Sequence, residues 1–153
     1  MHQLLNKLNY KDQSPVLLRN LPVELQDFAK YIQTVTEVVY NLAEVEKPQF
    51  ALFFVTQLQE IEQISEALQG RLEGDATLWF VYPKGTSKRY KCDFNRDTGW
   101  ASLGSLGLES VRMVAVNEDW SALRMRKVEY VKVLTRKFDA LSEEGKVKSG
   151  QKK

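Results

Sequence analysis

Two runs in this chain, Phe50–Thr56 (FALFFVT) and Thr77–Tyr82 (TLWFVY), are almost wholly apolar and show no alternation with polar residues. Both have the length of a strand. A strand with one wet face alternates, so an unbroken run needs cover on both faces, the condition of a central strand in a mainly parallel sheet. The segment between them supplies such cover. Gln57–Leu72 sets Leu58, Ile61, Ile64, Ala67, Leu68 and Leu72 on one face and Glu60, Glu62, Gln63 and Glu66 on the other, with Gly70 and Gly74 near its exit. A strand, a crossover helix and a parallel strand follow from these residues.

The flanking segments extend the pattern. Leu4, Leu5 and Leu8 have the spacing of a helical turn that docks on the body. Pro15–Asn20 reads as a first strand stopped by Leu21-Pro22, and Val23–Ile32 as a helix with Leu25, Phe28, Ala29 and Ile32 inward. Thr34–Asn41, rich in β-branched residues, predicts a second strand, and Glu44–Pro48 a break. Beyond Tyr82, Pro83-Lys84-Gly85 forces a turn into a polar loop, Thr86–Asp93. A helix is expected over Arg96–Leu106, capped by Asp93 or Asn95 and closed by Gly107. Ser110–Val116 and Ala122–Val128 read as a hairpin joined by Asn117–Ser121, and Glu129–Leu141 as a last helix. Residues 1–141 thus form one domain, and 142–153, lysine-rich with Val147 its lone apolar residue, are expected to be a disordered basic tail.

The fold class expected is α/β: a single three-layer Rossmann-like domain, with a mostly parallel sheet and a C-terminal antiparallel hairpin strand. The element order is similar to that of the methyltransferase variant of the Rossmann fold. Two stretches carry a closer likeness. LWFVYPKG (Leu78–Gly85) and GLESVRMVAVNEDWSALRMRK (Gly107–Lys127) resemble the DUF3052 family of small bacterial proteins, whose members carry similar "LWxxYPK" and "WSALRF" stretches. The resemblance extends from Leu8 to Lys127, with Met125 where the family has an aromatic residue. It implies a fold and, the family being one of unknown function, no reaction.

Several classes of chemistry are disfavoured. One cysteine, Cys92, and one histidine, His2, give neither a disulfide nor a metal-ligand set, so no metal is expected. No apolar run reaches membrane-spanning length and MHQLLNKLNY is not a secretory signal, so no membrane partner and a cytoplasmic location are expected. No glycine precedes Gly70. The loop after the first strand, Arg19–Glu24, therefore contains neither a G-x-G-x-x-G fingerprint nor a P-loop nor a glycine-rich methyltransferase loop, and no cofactor is expected. Glu44 and Glu46 could be offered to a ribose but read as an ordinary charged loop. Ser121 lacks a histidine to activate it, and Cys92, although beside Lys88, Arg89 and Lys91, reads as incidental. The chain leans away from being an enzyme.

One cluster stands out. Lys84, Gly85, Thr86, Ser87 and Lys88 leave the carboxyl end of a central strand, the edge where open α/β sheets bind ligands. Lys84, two hydroxyls and the amides at Gly85 suit a phosphate or carboxylate, with Trp120 and Ser121 as a possible rim. The plainer alternative is a surface turn in which Lys84 pairs with Asp119. Charge is also uneven: residues 1–76 hold 6 Lys+Arg against 11 Asp+Glu, and 77–153 hold 16 against 9. Without a recognised nucleic-acid module, nucleic acid is an unlikely partner. The expectation is a non-catalytic interaction domain, or one binding a small anionic ligand, on a degenerate Rossmann-like scaffold. The alternatives are a divergent enzyme using a nucleotide-like cofactor and a weak nucleic-acid-binding accessory protein.

Overall fold

The computed structural model describes residues 3–94 and 100–131. Six strands form one sheet in the order β2-β1-β3-β4-β6-β5. In chain order the strands are β1 (Val16–Arg19), β2 (Val38–Val39), β3 (Phe50–Phe54), β4 (Thr77–Pro83), β5 (Leu108–Ala115) and β6 (Trp120–Lys127). The helices are α1 (Gln3–Lys7), α2 (Gln26–Gln33), α3 (Leu58–Leu68) and α4 (Ala101–Gly104). The pairs β2/β1, β1/β3 and β3/β4 are parallel, whereas β6 runs antiparallel to both β4 and β5. The fold is therefore the α/β sheet expected, with its antiparallel strands at the C-terminal end.

The two apolar runs occupy the middle, with every residue of β3 and β4 buried. Their side chains alternate between two cores. Phe53, Leu78, Phe80 and Leu123 meet Ile61, Ile64 and Leu68 of α3 and Leu103 of α4 on one side. Leu52, Phe54, Trp79 and Val81 meet Phe28, Ala29 and Ile32 of α2 and Leu5 and Leu8 on the other. Three layers result. The buried Trp79 Nε1 donates to the Leu8 carbonyl at 2.9 Å, which fixes the end of α1 to the sheet.

Three boundaries differ from the sequence expectation, each for a local reason. Strand β2 covers only Val38–Val39, because the Thr34, Val35 and Thr36 amides bond back to Tyr31 and Ile32 and prolong the end of α2. At its other end Asn41 and Glu44 form a capping box for a short 3₁₀ turn, which stops the strand. Asp93 does not cap a helix over Arg96–Leu106; its Oδ1 accepts from the Leu58 amide at 2.6 Å, at the start of α3. Of that expected helix, Ala101–Gly104 is helical and residues 95–99 lie outside the described residues. The hairpin strands begin two residues earlier than expected, which puts Trp120 and Ser121 within β6.

Val128–Tyr130 forms one 3₁₀ turn where the helix Glu129–Leu141 was expected. The rest of that helix and the tail 142–153 lie outside the described residues. No described helix is long and apolar enough to cross a membrane.

Candidate functional site

The carboxyl ends of the parallel strands share one edge of the sheet, and the chain builds two concavities there. The first starts where Pro83, paired with Trp120, ends β4. The Lys84 amide donates to the Asp119 carbonyl at 2.8 Å, and the Ser87 amide closes a turn onto the Lys84 carbonyl at 3.0 Å. The turn and the loop after it enclose a cleft of about 600 Å³. Its walls include Tyr82, Pro83 and Phe94, and Lys84, Lys91 and Ser121 supply its polar rim. Among the described residues neither lysine ammonium has a hydrogen bond or ion pair, and the Gly85 and Thr86 amides have no backbone acceptor. Two cations and free N–H groups converging on a partly apolar hollow form an anion-binding arrangement.

Several other polar groups of the loop are occupied. Ser87 Oγ donates to Asp119 Oδ1 at 2.8 Å and accepts from the Arg89 and Tyr90 amides. Tyr90 donates its phenol proton to the Glu24 carboxylate, at 2.7 Å from Oε2, and Arg89 pairs with the same group at 3.5 Å. The hydrogen bond to Glu24, helped by desolvation, raises the Tyr90 pKa above that of a free phenol. The Tyr90 ring packs on Trp120 with centroids 4.8 Å apart, so the loop is tied to both the hairpin and the segment after β1. Cys92 borders the cleft and donates its thiol proton to the Phe94 carbonyl at 2.8 Å.

The structure brings Lys84, Gly85, Thr86, Ser87 and Ser121 to the cleft, as the sequence grouped them. Two of the expected residues do not join. Lys88 is exposed and does not line the cleft, because the turn closes at Ser87 and directs the next residue to solvent. Trp120 is 2% exposed and packs on Phe54 and Tyr90 as core, with its Nε1 buried and lacking an acceptor. The Ser87 hydroxyl is committed to Asp119, and it is the Lys84 amide, not its ammonium, that meets Asp119, at the backbone carbonyl. Lys91, Tyr82 and Phe94 were missed, although Lys91 belongs to the same basic loop.

The second concavity lies at the switch point, where β1 continues to β2 on one side while β3 lies on the other. Open α/β sheets bind nucleotides in this crevice. Here about 350 Å³ remains, bordered by Arg19, Asn20, Tyr40, Asn41 and Glu60. Asn20 takes the left-handed turn, φ 61°, that a glycine takes in a nucleotide-binding loop, and its amide donates to Glu60 Oε2 at 3.3 Å. Arg19 lies 3.7 Å from the same carboxylate. Glu60 Oε1 in turn accepts from the Thr56 and Gln57 amides, capping α3. Glu44, one of the two loop carboxylates that could be offered to a ribose, accepts from the Tyr40 and Asn41 amides through Oε2.

Fold and site together define a small Rossmann-like domain whose larger open cleft is displaced from the switch point. Comparison with known proteins agrees on the fold. A proposed type 11 methyltransferase from Sulfolobus solfataricus aligns with TM-score 0.54 and 6% identity over 82% of this chain and 89% of that one. A SAM-dependent methyltransferase from Aquifex aeolicus aligns with TM-score 0.52 and 12% identity over 82% and 88%. No family model matches the sequence, and no curated protein does.

The cofactor of such folds does not suit the residues at the switch point. The side chain of Asn20 stands where backbone must approach a ligand closely, and the Glu44 and Glu60 carboxylates are engaged in capping.

Proposed function

We propose that this chain is a small-ligand-binding domain, with no chemistry of its own, that takes an anionic molecule in the cleft at the end of β4. The observation that carries this reading is the pair of ammonium groups, Lys84 and Lys91, without a partner among the described residues, at a hollow of about 600 Å³ on the carboxyl edge of the sheet. A phosphate or carboxylate there accepts charge-assisted bonds from Lys84 and from the Gly85 and Thr86 amides, while Tyr82, Pro83 and Phe94 cover the less polar part of the ligand. An added Cβ at Gly85 would meet nothing within 4 Å, so the turn faces open space on the side a ligand would approach.

The reading as a divergent enzyme with a nucleotide-like cofactor would require the switch-point crevice, where, among the described residues, Asn20 occupies Glu60 and only Arg19 Nη1 is buried without a hydrogen bond. Membership of the DUF3052 family is part of the same proposal. The two stretches that carry the likeness meet at the cleft, where Pro83 pairs with Trp120 and Tyr82 with Ser121.

The test is calorimetric titration with a panel of sugar phosphates, nucleoside phosphates and small carboxylates, paired with thermal melts. A ligand that binds only the native state raises the melting midpoint by mass action. At least one anion should bind, and Lys84→Ala should weaken it by about tenfold or more, the value of one charge-assisted hydrogen bond. Binding unchanged in Lys84→Ala, or no binding across the panel, would remove the cleft as the site.

A further inference from the structure

The β5–β6 hairpin carries three arginines on one face. Arg112 is the direct cross-strand partner of Arg124, and Arg126 follows two residues along β6 on the same side. Arg124 also pairs with Trp79 of β4, which faces the α1 and α2 layer, so the arginines lie on that side of the sheet. Directly opposed residues have Cβ atoms roughly 5 Å apart, and like charges there destabilise a hairpin. One of the three is neutralised: Arg126 donates from Nε and Nη2 to the two oxygens of Asp75, at 2.9 and 2.6 Å. Glu109, opposite Arg126, is fully buried and has an interaction of its own.

The other two have no such direct pair, and Asp75, already held by Arg126, acts on Arg124 only through its charge. Among the described residues neither Arg112 nor Arg124 has a hydrogen bond or ion pair, and Arg124 Nε is buried without an acceptor. Desolvation, and then the charges of Arg126 and Arg112, lower the Arg124 pKa from its usual value, although arginine stays charged in proteins. A half-buried guanidinium facing another across a strand pair is an unfavourable arrangement for an empty protein and a favourable one around a dianion.

We propose that Arg112 and Arg124 form a binding site for a single phosphate group, distinct from the Lys84 cleft. A phosphate carries close to two charges at neutral pH and would offset both guanidiniums, where a carboxylate offsets one. Its oxygens match the planar donor fork of arginine in bidentate fashion. Arg126, held by Asp75, is not available to lengthen the site, so two guanidiniums remain, the charge that one phosphate offsets. Arg124 is three residues along β6 from Ser121 of the cleft, so the two sites can be silenced separately.

The experiment titrates inorganic phosphate at fixed ionic strength into Lys84→Ala protein, which lacks one of the two cleft cations. Saturable binding should persist there and weaken by about tenfold or more when the exposed Arg112 is also changed to Gln. Arg124→Leu, which removes an unpartnered charge, should fold without phosphate, melt no lower than its parent, and lose the response to phosphate. The proposal is overturned if Lys84→Ala protein does not bind phosphate, if Arg112→Gln leaves binding unchanged, or if Arg124→Leu destabilises the phosphate-free protein. It is overturned equally if a single-stranded oligonucleotide binds much more tightly than phosphate with a steep salt dependence, since that describes a polynucleotide track. Loss of all anion binding in Arg112→Gln with Lys84 intact would count against the cleft instead.

Discussion

Tyr90 is the residue on which the loop beside the cleft depends. Its phenol is bound to Glu24 and its ring lies on Trp120, so one side chain joins three segments. The hydrogen bond favours the protonated phenol and raises its pKa in the native state. A group with a raised native pKa contributes stability that is present below the unfolded value, about 10 for tyrosine, and is lost as pH climbs through the native value. Two results are expected. Phenolate absorbance of Tyr90 should appear at higher pH than that of free tyrosine, and Glu24→Ala should move it back. The stability difference between wild type and Tyr90→Phe should hold across neutral pH and shrink in strong alkali. A Tyr90 titration unmoved by Glu24→Ala would show that the hydrogen bond is not its cause.

At this scale the sequence was partly legible. The basic turn after β4 could be read because proline, glycine and lysine declare a turn and a charge locally. The engagement of Ser87 with Asp119 could not, because residues 32 apart meet only after the hairpin docks on β4. The same holds for Trp120, whose burial is decided by Phe54 and Tyr90 from two distant segments.

Among the elements, α3 shows how a local signal and a distant one combine. Its amphipathic face was plain in the sequence, and Glu60 closes a capping box with Gln57. Asp93, from the loop after β4, supplies a second cap at the Leu58 amide. Replacing Glu60 with Ala removes the acceptor for two backbone amides and should cost about 1–2 kcal/mol, read as a lower midpoint in denaturant with an unchanged slope. An effect below a few tenths of a kcal/mol would mean that Asp93 alone caps the helix. Strands β1, β3 and β4 were legible because apolar runs of that length have few other uses. Strand β2 was not, since the β-branched residues Thr34, Val35 and Thr36 have amides that return to α2 and outweigh strand propensity.

For the whole molecule, the acidic first half and the basic second half meet in ion pairs among the described residues. Ion pairs of Arg89 with Glu24 and of Arg126 with Asp75 join the halves, which is why the net charge of +2 says little about partners. The absence of glycine before Gly70 acquires a structural counterpart. The crevice at β1 and β3 is bridged by Asn20, Arg19 and Glu60, and the open concavity has moved along the same edge to β4 and β6.

That placement of β6 has a consequence for how the chain is made. All seven residues of β4 are buried, and the strand that covers its outer flank, Trp120–Lys127, is encoded about forty residues later. During synthesis the core therefore waits with one hydrogen-bonding edge bare until the hairpin leaves the ribosome. Unpaired apolar edges recruit other chains. A product terminated after Gly107 should accumulate as insoluble material, whereas one ending at Val131 should remain soluble, a contrast that fractionation of expressed lysates would reveal. Equal solubility of the two would mean that the edge of β4 is protected by something other than β6.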